Sequence, residues 1–242
     1  MPKLLVLVLS SQQVPYEIMQ RLGQDATWVK QARQLSVPVV RYFAGERTMV
    51  NRLLSYGAEE TFWDSGVPTE AYTARLQRAL RHVLKREWDY LFRTNSSTWV
   101  NIPALQDRIA RANPSTYAGF VGQVEQKPGE RAIRFASGAG FLVSRDLVVQ
   151  ISKEGALDAN LIDDVAVGLA LEQRLEVSPL RRIDVTSPVG AQRCRLDELL
   201  KAESIRCKAR VPRMLWGLPE TATMAVLDRR HRRATSQRKH LS

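Results

Sequence analysis

The chain alternates short apolar runs with longer stretches whose apolar positions recur every three or four residues. "KLLVLVL" is apolar at six consecutive positions and predicts a strand buried on both faces. "YEIMQRLGQDATWVKQAR" follows with helical spacing behind Pro15, whose fixed φ suits a helix start. "VPVVRYF" predicts the next strand and "ETFWDS" a short strand or turn. "TEAYTARLQRALRHVLKR" carries the clearest helical pattern, with Thr69 as N-cap and apolar or Ala residues at 71, 72, 76, 79, 80, 83 and 84. "WDYLFR" predicts a strand, "VNIPALQDRIARA" a helix beginning near Pro103, "TYAGFVGQV" a strand and "EQKPGER" a turn. "FASGAGFLVS" reads as a Gly-containing strand, "SRDLVVQISKEG" and "DDVAVGLALEQRL" as helices, and "SPLRRIDVTSP" as a strand running into a loop.

Strand–helix alternation over the first hundred residues predicts a parallel α/β sheet with right-handed crossovers. Ligands of such sheets bind beyond the carboxyl ends of the strands. "RTNSS", residues 93–97, leaves "WDYLF" at that end. No repeat, low-complexity segment or Pro/Gly-rich linker divides the chain. The expectation is one domain over residues 1–212 and a C-terminal extension over 213–242 ending in a basic tail.

Composition narrows the chemistry. Apolar residues make up 44% of the 242, enough for a sizeable core. Two cysteines, Cys194 and Cys207, make no disulfide framework and fit a reducing compartment. The first apolar run is too short to span a bilayer and lacks a small-residue cleavage site, so a cytoplasmic protein without a membrane span is expected, in a bacterial or viral setting. Only three histidines occur, His82, His231 and His240, which argues against a His-based triad or zinc site. There is no G-x-x-x-x-G-K, no G-x-G-x-x-G after a strand, no C-x-x-C and no H-E-x-x-H.

The net charge of +11 points to a polyanionic partner. The last 15 residues hold six Arg or Lys against one Asp, leaving a net +6 on the rest of the chain. Arg229, Arg230, Arg232, Arg233, Arg238 and Lys239 are therefore candidate nucleic-acid contacts. The same run also reads as a solvated, frayed chain end.

Several stretches, in order, resemble the β-1,3-glycosyltransferase and fringe family of GT-A sugar transferases. They are "RLGQDATW", "FAG", the Asp-to-Tyr segment "WDSGVPTEAYTARLQRAL", "RTNSSTWVN", "ASGAGFLVSRDL" and "DDVAVGLALE", together spanning about residues 3–190. The most specific part is "SGAGFLVSRDL" followed by "DDVAVG". The resemblance implies a single GT-A-like α/β domain with a mixed, mainly parallel sheet flanked by helices. It implies inverting transfer of a sugar from a nucleotide sugar, a UDP-sugar by family habit, to a hydroxyl. Where the family reads K-T-D-D-D-V-F-V-N, this chain reads "RTNSSTWVN", with Asn95, Ser96 and Ser97 at the metal-holding acids. Thr186 of "VTS" stands where a family histidine also reaches the metal.

Hard divalent cations need carboxylate oxygens, which hydroxyls and amides replace poorly. Both ligand types are gone, so no divalent metal and no other cofactor is expected. The resemblance assigns the general base to the acidic pair Asp163 and Asp164, with Asp164 favoured; the same acids also suit a helix N-terminus as caps. Nucleotide-sugar contacts are carried over to Ser10, Arg21, Asp64, Arg93, Asn95, Ser96, Ser97 and Gly138, although the Asn95–Ser97 run also reads as a plain turn. Arg93, Arg193, Arg195 and Lys201 are candidates to stabilise the leaving diphosphate in place of a metal. The charge directs the acceptor expectation to a hydroxylated base in DNA, of the 5-hydroxymethylcytosine type, brought to the site by flipping. Two rivals are a glycan- or lipid-linked-sugar transferase, with "RMLWGLPE" as a trace of an apolar stripe, and a binding module that has lost catalysis.

Overall fold

The computed structural model describes residues 2–10, 14–44, 60–64, 71–175, 180–208 and 217–239. β1 (Leu4–Ser10) is buried along its whole length, as an unbroken apolar run requires. It pairs in parallel with β2 (Val39–Ala44) on one side and β4 (Tyr90–Asn95) on the other, and β2 carries β3 (Glu60–Asp64) at the edge. β7 (Ile133–Ser144) runs antiparallel to β4, and β6 (Tyr117–Val124) completes the order β3-β2-β1-β4-β7-β6. The molecule is thus a mixed α/β domain with a mainly parallel sheet flanked by helices.

Alternate side chains of β1 enter different cores. Leu4, Val6 and Val8 join Trp28, Trp99, Leu105 and Leu227 on one face, while Leu5, Leu7 and Leu9 join Leu76, Leu80, Val148 and Val167 on the other. The second face is covered by α3 (Tyr72–Val83), α5 (Arg145–Ile151) and α6 (Asp163–Leu171). α6 lies directly against β7 because Gly168 lacks a Cβ, which would overlap Phe135.

The helix predicted over 16–33 is not continuous. α1 (Val14–Ile18) passes into a π-helical stretch, Met19–Asp25, and α2 (Trp28–Gln34) restarts after a turn at Ala26 and Thr27. This stretch packs Gly23 so close to Met224 that a Cβ there would come within 2.8 Å of its Sδ. It also buries Gln20 and Gln24 beneath the carboxyl end of the sheet. Thr69, the expected cap of α3, lies outside the described residues, and Ala71 stands at the cap position. α4 (Ile102–Ile109) starts as predicted near Pro103, capped by Asn101, which accepts from Ala104 N at 3.3 Å.

The pattern did not anticipate a second sheet. β5 (Thr98–Val100) leaves the first sheet directly after β4 and pairs with β9 (Ser204–Cys207), which also pairs with β8 (Arg182–Val185). α7 (Pro188–Arg193) and α8 (Leu196–Lys201) fill the connection. The frayed-end reading of the C-terminus is corrected by α9 (Leu218–Lys239), a helix of 22 residues. Met224 and Leu227 belong to the core, and His231 meets Trp99 edge-on at 5.3 Å between ring centroids. Five apolar or aromatic anchors along "TMAVLDRRHRRA", Met224, Val226, Leu227, His231 and Ala234, outweigh its charge. Residues 213–216 and 240–242 of the extension lie outside the described residues.

Candidate active site

A pocket of about 260 Å³ opens at the carboxyl end of β4. Asn95 comes from β4, Ser137 to Ala139 from β7, Asp163 and Asp164 from the first turn of α6, and Arg206 from β9, while Tyr72 and Ile162 form the rim. Five separate elements thus supply it. The second sheet contributes because β5 continues from the end of β4 and carries β9 with it. The first turn of α3 is tied to the loop before α6 by Thr73, whose Oγ1 donates to Leu161 O at 2.6 Å.

The predicted acids come together with Arg93 and Gly138. Asp164 Oδ2 accepts from Gly138 N at 2.8 Å and its Oδ1 from its own helix turn, Val165 N, at 3.0 Å. Burial, reinforced by the neighbouring Asp163 carboxylate, pushes the Asp164 carboxyl above the ordinary aspartate range. Asp163 pairs instead with the Arg93 guanidinium, whose other terminal nitrogen donates to Gly138 O. Each carboxylate oxygen of Asp164 is left with acceptor capacity beyond the one backbone bond it takes. A Cβ at 138 would overlap Arg93 Nη1 and approach Asp164 Oδ2 at 3.2 Å, so the site requires glycine there.

"NSS" forms a closed polar turn. Asn95 Oδ1 accepts from Ser97 N at 3.1 Å, Ser97 Oγ at 3.0 Å and Thr98 Oγ1 at 3.0 Å, and its Nδ2 donates to Gly138 O at 3.3 Å. Ser96 Oγ lies 3.0 Å from Ser10 Oγ, which also accepts from Gln20 Nε2 at 2.5 Å. Gln24 Nε2 donates to the carbonyls of Asn95, Ser96 and Thr98 at 2.9, 3.2 and 3.3 Å. The side-chain oxygens of this turn are occupied with one another, and no carboxylate belongs to it. Thr186 is exposed past the end of β8 and does not line the pocket. These residues do not fit a divalent cation, and no cluster of three His, Cys, Asp or Glu able to hold one occurs among the described residues.

The other expectations divide. Ser10 is buried behind the turn, its carbonyl accepting from Arg75. Arg21 pairs along its own helix with Glu17 at 3.4 Å. Asp64 ends β3, and its side chain lies outside the described part. Arg193, Arg195 and Lys201, expected at the diphosphate, are all exposed and do not line the pocket, and Arg195 pairs with Asp197 at 3.2 Å. Arg193 and Arg195 flank α9 instead, since Arg230 donates to Cys194 O at 2.6 Å and to Gln192 O. They lie there because α7 and α8 turn the chain away from the pocket between β8 and β9.

Arg229, Arg232 and Arg233 are exposed on α9, with Arg232 paired to Asp228 at 2.8 Å, whereas Arg230 is held by α7. The side chains of Arg238 and Lys239 lie outside the described part.

Three arginines were missed. Arg75 is buried on α3 beside Arg93 and Asp163, and burial holds its guanidinium below the usual range. The signal was present, because position 75 falls on the apolar stripe of that helix between 72 and 79. Arg182 caps the pocket wall: it donates to Ser137 Oγ at 2.9 Å, pairs with Asp184 at 2.9 Å and stacks over the Phe120 ring at 3.8 Å. Arg206 lies on a strand of four residues whose only signal is the alternation of "SIRC".

No protein-family model and no curated protein matches the chain. Among solved structures, the crystal structure of a glycosyltransferase involved in the glycosylation of the major capsid of PBCV-1 is similar to it. The likeness covers 94% of this chain and 100% of the other, at 10% sequence identity and a TM-score of 0.46.

Proposed function

We propose that the protein is an inverting glycosyltransferase that moves a sugar from a nucleotide sugar to a hydroxyl acceptor without a divalent metal. The observation that carries this reading is Asp164: a half-buried carboxylate at the pocket, raised in pKa and aimed by the Gly138 N–H. A carboxylate of raised basicity is suited to take a proton from a hydroxyl as that oxygen attacks. The acceptor oxygen bonds to the anomeric carbon from the side opposite the diphosphate, its proton passes to Asp164, and the sugar–phosphate bond breaks with its electron pair on the leaving diphosphate. Single displacement inverts the configuration. Asp163 is not free to act the same way, because Arg93 neutralises it. The polar turn Asn95–Ser97 supports a role for cations of the protein, rather than a metal, at the diphosphate.

The acceptor proposed is a hydroxylated base in DNA. The net charge of +11 and the exposed arginines of α9 favour it. A flipped base would enter the pocket while arginines hold the phosphates. A glycan acceptor is the second reading, favoured by the exposed ring of Tyr72 at the pocket rim, which offers a sugar a stacking face. The first half of "RMLWGLPE", the other trace of that reading, lies outside the described residues.

The test is a screen of nucleotide sugars with the purified protein against DNA containing 5-hydroxymethylcytosine and against oligosaccharides, each with and without EDTA. Transfer to the modified DNA that survives EDTA is expected. Donor binding without hydrolysis or transfer to any acceptor would favour a binding module and end the catalytic reading.

A further inference from the structure

In a transfer without metal, the charge that grows on the leaving diphosphate has to meet a cation of the protein. The arginines around the pocket differ in how far they are already engaged. Arg93 has one terminal nitrogen on Asp163 and the other on Gly138 O. Arg75 donates to the carbonyl of Ser10. Arg182 is held by Asp184 and Ser137. Arg206 lines the pocket, and among the described residues no carboxylate pairs with it; its buried Nε, like that of Arg93, has no hydrogen-bond partner. A buried guanidinium nitrogen left without an acceptor is costly, and the cost is removed when an anion arrives.

Strand register places this side chain where the resemblance puts the missing acids. Arg206 pairs directly with Thr98 in the antiparallel ladder and with Asp184 in the parallel one. Directly paired residues point to the same face. Thr98 faces the inside of the polar turn, donating to Asn95 Oδ1 at 3.0 Å and to Ala139 O at 2.8 Å. The next residue of β9, Cys207, is fixed to the same turn, its N–H donating to Ser97 O at 2.7 Å. β9 therefore carries a guanidinium to the edge of Asn95–Ser97, on the face that holds Gly138 and the acidic pair.

Resting on the proposed transferase reading, we propose that Arg206 is the residue that binds the diphosphate of the donor and stabilises it as it leaves. Its planar fork presents donors that can meet a phosphate bidentately, which suits it to the charge that builds on the bridging oxygen and its phosphate as the bond to the anomeric carbon breaks. As the bond to the anomeric carbon breaks, the electron pair passes to the β-phosphate oxygen and that oxygen is held by Arg206. The acceptor proton is already on Asp164, so charge and atoms balance.

The experiment titrates the full chain with UDP, GDP, CDP, ADP and TDP and with the five matching nucleosides, by calorimetry, for the wild type, Arg206→Met and Arg206→Gln. Thermal melting confirms that each variant is folded. The wild type is expected to prefer one diphosphate over its nucleoside. Both variants are expected to lose that preference, with diphosphate affinity about tenfold or more weaker, in line with loss of a charge-assisted hydrogen bond, and nucleoside affinity unchanged. With the best donor, transfer should fall further than binding, because the charge is larger in the transition state. If either folded variant keeps the wild-type preference and rate, Arg206 is not the diphosphate cation, and the transferase reading stands. If the wild type binds no nucleoside diphosphate and transfers no sugar, the transferase reading itself falls and the assignment falls with it.

Discussion

At the residue scale, Asp163 and Asp164 are adjacent in sequence but sit in opposite electrostatic situations. Asp164 is half-buried, raised in pKa and bonded to backbone, while Asp163 faces a guanidinium. Asp164→Asn is therefore expected to lower transfer by about 10²-fold or more, the usual range for losing a general base. Asp163→Asn is expected to cost less and to act through Arg93. Donor binding by either variant should stay near wild type, and equal near-normal rates in both would remove the assignment.

The pH profile of kcat/KM gives an independent check on Asp164. Its carboxyl is raised, so the base is lost by protonation at a pH above the ordinary aspartate value of 3.8. Activity should fall on the acid side with a midpoint above that value, and in Asp164→Asn that limb should disappear. An acid limb unchanged in the variant would assign the titration to another group. Gly138→Ala is expected to act at the same point. Its Cβ occupies the place of Arg93 Nη1, so Arg93 must leave Asp163 or the strand must shift. Transfer should drop strongly while the melting temperature moves little, and wild-type activity in a folded Gly138→Ala protein would contradict this packing.

Among the elements, α9 carries the largest departure from the expected picture. Its sequence carries many charges, and Met224, Val226, Leu227, His231 and Ala234 are the apolar and aromatic positions that betray a buried face. One of those five is a histidine, which pattern reading does not count as apolar. Burial, with Arg232 adding repulsion, pushes His231 down to about 4. Its folded-state value lies below the ordinary 6.5, so the unfolded chain takes up a proton between the two values and the folded chain does not. Stability from this site is full above pH about 6.5 and is lost as the pH falls toward about 4, by roughly 3 kcal/mol at 1.36 kcal/mol per unit. His231→Phe should therefore melt at more nearly the same temperature at neutral pH and at pH about 5 than the wild type does. An acid-induced loss as large in the variant would show that other groups carry it.

The same comparison shows why some elements were legible and others were not. The strands of the first sheet are continuous apolar runs, and their pattern has one reading. The helix over 16–33 satisfied the apolar spacing, yet it is broken by a turn and by a π-helical stretch whose Gly23 packs on a helix two hundred residues away. β5 and β9 are three and four residues long, too short for any period to register. The acidic pair and Gly138 were legible because they sit in motifs. Arg206 was not, because only pairing across two ladders brings it to the pocket.

On the scale of the whole molecule, positive charge occupies two places with different consequences. Arginines at the pocket are mostly engaged with acids or carbonyls, while Arg229 and Arg233 on α9 face solvent. Removing the end of the chain is a poor test of the outer set, because His231 and Ala234 are buried. The double substitution Arg229→Ser and Arg233→Ser leaves the packed face intact. If these residues bind DNA phosphates, the slope of log affinity against log salt should flatten by about 0.9 for each phosphate that is no longer neutralised. An unchanged slope would move the nucleic-acid surface elsewhere, and no binding by the wild type at low salt would leave the glycan reading. Activity in excess EDTA, with little gain from added manganese, is the corresponding expectation for the site. Strict dependence on a divalent cation would refute it.

The central position of β9 in the small sheet also bears on how the protein comes into being. The large sheet and both aspartates are synthesised before Arg206, and β5 waits for its ladder partner β9 through about a hundred residues. Pairings across such separations form late, because the entropy of closing the loop is spent first. A nascent chain that has emerged only as far as α8 would hold the acidic pair but lack the strand that completes the pocket. Sugar transfer would then be a property the protein acquires in its last steps of folding, when β9 inserts between β5 and β8 and α9 closes over Trp99.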